Sequence, residues 1–320
     1  MRKTGMLLGT IGVTATAGAL VVTACWAGPS RLPSKPEASR AREVAGRPKV
    51  LGIAYVKFKV TDVGKAKAFY ESIGLPSVAA KNGNGVEASF AVNGYQRVDL
   101  AKTAPGTTGS YLVEIGLATD DLRKMRTYLT AKGVPAEKIM TWPDGISYFV
   151  TSDPEGNRIL FVQEANWAKA GGPEGAISHK LIHAGFTVKD AKAENRFYEE
   201  VLGFHLYWHG GMKEEETNWM AMQVPDGTDW IEYMLNIPAN ADKHTLGVMN
   251  HISLGVPNVK EAGEELDQRG YGRYETPKIG RDGKWQLNLY DPDDTRVELM
   301  EFTPVEKPCC AEFTGPHPKP

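Results

Sequence analysis

The feature that most constrains the fold of this chain is an internal repeat. Phe58-Lys59-Val60-Thr61-Asp62 followed by Ala68-Phe69-Tyr70-Glu71 recurs as Phe186-Thr187-Val188-Lys189-Asp190 followed by Arg196-Phe197-Tyr198-Glu199, 128 residues on (58 to 186). A second pair, Asp153-Pro154-Glu155-Gly156-Asn157-Arg158-Ile159 and Asp291-Pro292-Asp293-Asp294-Thr295-Arg296-Val297, is 138 residues apart (153 to 291). A chain of 320 residues with such a repeat reads as two similar domains, each of about 120 residues, an ordinary domain size.

Each domain divides again. His183 to Val188 alternates as a strand and leads into Ala191 to Val201, where Phe197 and Val201 are spaced as on one helical face. His251 to Val256 is again strand-like, and Val259 to Arg269 reads as a helix closed by Gly270. Short β-rich runs follow each helix: Trp219 to Val224 and Trp230 to Leu235, then Trp285 to Tyr290 and Arg296 to Phe302. The module is therefore strand, helix, then three strands, and it occurs four times.

Arg2 and Lys3 precede an uncharged run from Thr4 to Trp26, the layout of a secretory signal over residues 1–27. Three readings of its end remain open. Val22-Thr23-Ala24-Cys25 resembles a lipoprotein signal box with Cys25 lipidated; cleavage after Ala27 would give a free exported chain; and the run approaches the length of an uncleaved membrane anchor. In each case the protein is expected to be exported, as a periplasmic, anchored or secreted protein touching a membrane only through this leader. Residues 28–49, rich in Pro and charge, read as a flexible tether.

With 37 Lys+Arg against 39 Asp+Glu the net charge is −2, so the field needed to bind a phosphate backbone is lacking and nucleic acid is excluded as a partner. The three cysteines are too few and too badly placed for a disulfide framework. Cys309 and Cys310 are adjacent, where a bridge is strained. The Pro-rich tail 305–320 is therefore expected to be unpaired and silent, with a soft-metal site there as the other reading.

The strand-Asp-helix-Phe-Tyr opening and the Asp-Pro-turn-Arg-strand closing of both halves resemble the vicinal oxygen chelate superfamily. It includes glyoxalase I, methylmalonyl-CoA epimerase, extradiol dioxygenases and the fosfomycin and bleomycin resistance proteins. The resemblance covers roughly residues 50–164 and 178–304. It implies an α+β fold of two tandem domains, 50–166 and 178–304, joined by a linker 167–177. Each would consist of two paired βαβββ modules forming a U-shaped mixed-sheet cleft.

The resemblance also dictates the ligand positions, on the first and last strands of each module. In the second domain these are His183, Glu232, His251 and Glu298, spaced 49, 19 and 47 residues apart, close to the spacing in bacterial glyoxalase I. Two neutral imidazoles and two carboxylates suit one divalent first-row ion: nickel, zinc, cobalt, manganese or iron. The equivalent positions of the first domain, Tyr55, Asp99, Glu114 and Leu160, hold no imidazole, so that cleft is expected to be metal-free. His205, His209, Lys284 and Trp285 are weaker candidates for substrate contact, the last two in a loop that borders the cleft in relatives.

For such a site the leading expectation is glyoxalase-like chemistry on a small carbonyl or vicinal-oxygen substrate. Glu232 and Glu298 would move a proton beside a metal-bound carbonyl through an enolate. Export separates the chain from cytosolic glutathione adducts, which leaves its substrate unassigned. The first alternative is an extradiol ring-cleaving dioxygenase using His183, His251 and Glu298. An acid–base His is expected before the final strands of those enzymes, and none lies between His251 and His317. The second alternative is a resistance-type binder without catalysis. The chain is expected to act as a monomer or homodimer.

Overall fold

A computed structural model describes residues 46–79, 85–104, 107, 111–163 and 171–320. The signal, Cys25 and the tether up to residue 45 lie outside the described residues. Among the described residues no helix is long and apolar enough to cross a membrane.

Four βαβββ units follow one another. The first is β1 (Val50–Val60), α1 (Val63–Ser72), β2 (Ser77–Val78), β3 (Val86–Ala91) and β4 (Arg97–Lys102); the second is β5 (Leu112–Thr119), α2 (Leu122–Ala131), β6 (Met140–Thr141), β7 (Ser147–Ser152) and β8 (Arg158–Gln163). The third is β9 (Lys180–Thr187), α3 (Ala191–Asn195), β10 (His205–Gly210), β11 (Trp219–Gln223) and β12 (Trp230–Met234). A short helix α4 (Lys243–Met249) then leads to β13 (His251–Val256), α5 (Val259–Gln268), β14 (Lys278–Ile279), β15 (Trp285–Tyr290) and β16 (Arg296–Glu301). The helix expected over 191–201 forms, with its last six residues wound as a π-helix, Arg196–Val201.

The strands make two eight-stranded mixed sheets, β2-β3-β4-β1-β5-β8-β7-β6 and β10-β11-β12-β9-β13-β16-β15-β14. In each, the first strands of the two modules lie antiparallel at the centre, and the modules' last strands flank them in parallel. The expected tandem α+β architecture is therefore the observed one.

The repeated motifs owe their residue types to this architecture. The repeated Asp is a helix N-cap: Lys65 N–H donates to Asp62 Oδ1 at 3.1 Å and Ala193 N–H to Asp190 Oδ1 at 2.9 Å, meeting an amide the first helical turn leaves unpaired. The Phe-Tyr pair that follows is buried in both domains. Helix α5 stops where Gly270 adopts φ +80°, a left-handed cap that glycine adopts without Cβ strain.

The two motifs also meet across the domain joint, reciprocally. Glu155 in the closing turn of the first domain accepts Lys189 N–H and Asp190 N–H at 2.6 and 2.7 Å, beside the opening helix of the second. Asp293 in the closing turn of the second domain accepts Thr61 N–H and Thr61 Oγ1–H, both at 2.7 Å, beside the opening helix of the first. Between these clasps Gln96 and Asp229, each just before its domain's last strand of the first module, join the two sheets. Gln96 Nε2 donates to Ile53 O and Leu181 O, and Asp229 Oδ2 accepts Ile53 N–H, all at 2.9 Å.

Burial at this joint makes stability depend on pH. Asp291 has no exposed surface; burial pushes its carboxyl up to about 7 although Oδ1 accepts Asp293 N–H and Thr295 N–H. Burial, then the charge of Asp153, pushes Glu194 up to about 8. A carboxyl raised in the folded state binds more protons folded than unfolded, so stability falls as pH rises from the ordinary carboxylate value through the raised one. The thermal midpoint is therefore expected to decline between about pH 5 and about pH 8. Asp291→Asn removes one titrating group, so scanning calorimetry should show a shallower decline; an unchanged slope would contradict this assignment.

The tail differs from expectation. Cys309 and Cys310 are joined in a disulfide. Thr314 N–H donates to Tyr207 O at 3.0 Å, Gln223 Nε2 donates to Pro316 O at 2.9 Å, and the Tyr207 hydroxyl bonds His317 Nδ1 at 2.5 Å. The tail thus runs along β10, the edge of its sheet, where it meets backbone groups that would otherwise lie open. Such pairing leaves no periodic trace in a Pro-rich sequence.

Candidate metal centre

Sheet register collects the candidate residues. His183 on β9 lies opposite Trp230 on β12 and Ser253 on β13, and Ser253 lies opposite Glu298 on β16. Gly185, two residues past His183, lies opposite both Glu232 and His251. Because strands alternate faces, these two rows share one face, and small residues, Gly185 and Ser253, occupy the middle of each. A Cβ on Gly185 would stand 2.2 Å from His251 Cε1. Glycine is needed there because the imidazole fills that space.

The side chains converge above this hollow. His183 Nε2 and His251 Nε2 are 3.1 Å apart, and Glu298 Oε2 is 3.5 Å from His183 Nε2. Glu232 Oε2 lies 3.4 Å from His251 Nε2 and 3.7 Å from His183 Nε2. One donor atom each from His183, His251 and Glu298 falls within 4.8 Å of the others, and all three residues are buried. Glu232 is the more open partner, its side chain 13% exposed.

Burial holds both imidazoles well below the usual histidine value, so they are neutral and can offer lone pairs. His251 Nδ1 faces Met249 O at 3.3 Å; an N–H donated there leaves Nε2 free as the ligand atom. Burial pushes the Glu298 carboxyl up to about 7, against the pull of Arg296, the cost of a carboxylate without a close cation. Two neutral imidazoles and a carboxylate on one side fit a divalent first-row ion. Arg296 contributes the local positive charge: a guanidinium N–H points at His251 Nε2 from 2.6 Å, on the lone pair a metal would take.

The first domain shows the same positions filled differently. Register places Tyr55, Asp99, Glu114 and Leu160 where the second domain has His183, Glu232, His251 and Glu298, and places Lys57 at Gly185 and Arg97 at Trp230. Lys57 Nζ pairs with Glu114 at 2.5 Å, and Arg97 Nε pairs with Asp99 at 3.1 Å while its guanidinium carbon lies 4.7 and 5.1 Å from the Tyr55 and Trp142 ring centroids. With Arg158, whose Nε lies 3.5 Å from Glu114, three side-chain cations thus neutralise the carboxylates of this cleft.

A cavity of about 350 Å³ opens beside the second-domain cluster, walled by Tyr207, Trp208, Trp230 and Phe313 with Glu232, Arg296 and Glu298 at its polar end. A larger one, about 690 Å³, lies at the domain joint, lined by Pro135, Val150 and Phe197 among others, with no histidine. Of the weaker candidates, His205 and His209 lie on β10 and do not line the 350 Å³ cavity; their strand neighbours Tyr207 and Trp208 do, past a register shift between Leu206 and Trp208. Trp285 lies under Lys260 of α5, Nζ to ring 4.3 Å, away from the cavity.

Lys284 is fully buried, its Nζ 4.9 Å from the Trp230 centroid. Burial lowers this ammonium to about 8, resisted by Asp282, Glu298 and Glu232. Sequence reasoning missed Gly185, Ser253, Arg296 and the tail's Phe313. The alternation of small residues with ligands on β9 and β13 was the available signal for the first two.

Residues 180–299 match the model of the glyoxalase/bleomycin resistance protein/dioxygenase superfamily. No curated protein matches the sequence. Among solved structures, the 2,3-dioxygenase LapB from a Pseudomonas species is similar at TM-score 0.61 and 16% identity, over 85% of this chain and 95% of that one. A variant of homoprotocatechuate 2,3-dioxygenase from Brevibacterium fuscum, solved with HPCA, gives 0.57 and 18%, over 82% and 74%. The anaerobic substrate complex of that enzyme with 3,4-dihydroxyphenylacetate gives 0.55 and 19%, over 82% and 83%. Identities this low speak to the fold. The fold and the clustered His, His and Glu define a tandem half-barrel protein with a cleft suited to a cation. The match to the superfamily model lies within the second domain, residues 180–299, and the first domain has the same architecture.

Proposed function

We propose that the second domain is a divalent-metal-dependent enzyme of the extradiol ring-cleaving type, acting on a small aromatic substrate with two adjacent oxygens. The observation that carries this reading is the buried His183–His251–Glu298 cluster at the polar end of an aromatic-walled cavity. Two histidines and one carboxylate on one face are the set used by non-haem iron oxygenases, and a cavity of about 350 Å³ with flat walls suits a single substituted ring. The similar solved structures, dioxygenases over both domains, support the same choice.

An iron(II) held by the three side chains would supply Lewis acidity and an electron route between substrate and dioxygen. The remaining work falls to this chain's own groups. Glu232, facing the cavity beside both imidazoles, accepts the proton of a substrate hydroxyl in place of the imidazole base expected for this chemistry. The rings of Trp230 and Tyr207 hold the substrate plane and exclude water. Glyoxalase-like proton transfer is the second reading, favoured by the second carboxylate, Glu232.

Oxygen uptake separates the two. The iron-loaded protein is expected to consume oxygen and a catechol one for one under air. Oxygen-independent conversion of methylglyoxal with a thiol, and no uptake on any catechol, would replace this reading with the second.

A further inference from the structure

Lys284 has a cost that neither reading accounts for. It has no exposed surface, and its Nζ makes no hydrogen bond. The ammonium sits 5.5, 4.9 and 5.1 Å from the ring centroids of Tyr207, Trp230 and Phe313, three walls of the cavity. Ring faces attract a cation, but they return only part of the hydration an ammonium loses on burial, and its three donors remain unmet. The nearest acid in sequence does not answer them: Asp282 Oδ1 accepts the Lys284 backbone N–H at 3.2 Å and Gln286 Nε2 at 3.1 Å. Glu232 and Glu298 are turned to the imidazoles.

We propose that Lys284 is the specificity-determining residue of this cleft, its ammonium pairing with an anionic substituent, a carboxylate or similar oxyanion, on an aromatic ligand held between the walls. This rests on the reading of the cleft as the substrate site and narrows its substrate class to anionic aromatics. Arg281, Lys278 and Arg296 line the cavity together with Asp282, Glu232 and Glu298, and Lys284 stands behind the ring walls, outside that lining. Phe313 belongs to the C-terminal segment rather than to the sheet, so it is the ring that yields when oxygen atoms reach Nζ. Once seated, the anion supplies the acceptors the buried ammonium lacks.

The test compares two ligands of one shape, benzoate and benzamide, by tryptophan fluorescence titration of the full chain. Wild type is expected to bind benzoate at least about tenfold more tightly, equivalent to about 1.4 kcal/mol. Lys284→Met should abolish the preference, and Lys284→Arg should keep it. Replacing a buried charge by an apolar side chain of similar volume is commonly tolerated; Lys284→Gln is the second neutral variant. Equal affinity in wild type, or a preference that survives in the neutral variants, would overturn the proposal. A Lys284-dependent preference without turnover of any catechol would keep the anion site and remove the ring-cleavage reading; turnover of catechols without the preference would do the reverse.

Discussion

His251→Ala is expected to abolish stoichiometric metal in the purified protein and, with it, turnover. Wild type should carry about one divalent ion per chain and the variant less than about a tenth of that after dialysis, as read by elemental analysis. The effect is large because the cluster is small: His251 Nε2 is the atom that faces His183, Glu232 and Arg296 together. Removing it leaves one imidazole and two carboxylates around an enlarged hollow. Gly185→Ala should reproduce part of the loss without touching a ligand, since its Cβ would stand 2.2 Å from the His251 ring. Metal that survives His251→Ala in full would remove the site.

Arg97→Met is expected to destabilise the first domain by ~3–5 kcal/mol, the cost of a buried carboxylate that loses its cation. Asp99 has no exposed surface; beyond Ser89 Oγ at 2.6 Å its charge is met by Arg97 Nε. Burial raises the Asp99 carboxyl, and Arg97 is the largest opposing influence. Urea unfolding should show the loss, and the double variant Arg97→Met with Asp99→Leu should recover much of it, because a pair of apolar residues leaves no charge uncompensated. Metal content in the second domain should stay as in wild type. A cost below about 1 kcal/mol would mean that the pair behaves like a solvated surface ion pair.

The first domain explains why the repeat was legible and its loss of ligands was not fully so. Tyr55, Asp99, Glu114 and Leu160 announce a cleft without imidazoles, since strand alternation and the offset of the copies locate them. That Lys57 and Arg97 take over the charge is visible only through register, which sets Lys57 opposite both Asp99 and Glu114. The same holds for the repeated Asp-Pro turn, whose second role, clasping the opposite domain at Thr61 or at Lys189, depends on how the copies dock. The tail was misread for a related reason: its bonds to Tyr207 and Gln223 are backbone pairings with no pattern of their own.

By itself the sequence determined the four βαβββ modules, the glycine that closes the helix after Val259, and the spacing of His183, Glu232, His251 and Glu298. Periodicity and capping act within a few residues, so they are written locally. Only the tertiary structure decided that Gly185 and Ser253 open a hollow between the ligands, that Arg296 sits on His251, and that Lys284 lies unpaired among three rings. Those facts depend on which side chains face one another across strands and across the chain's far end, and burial, not sequence neighbourhood, sets their energy.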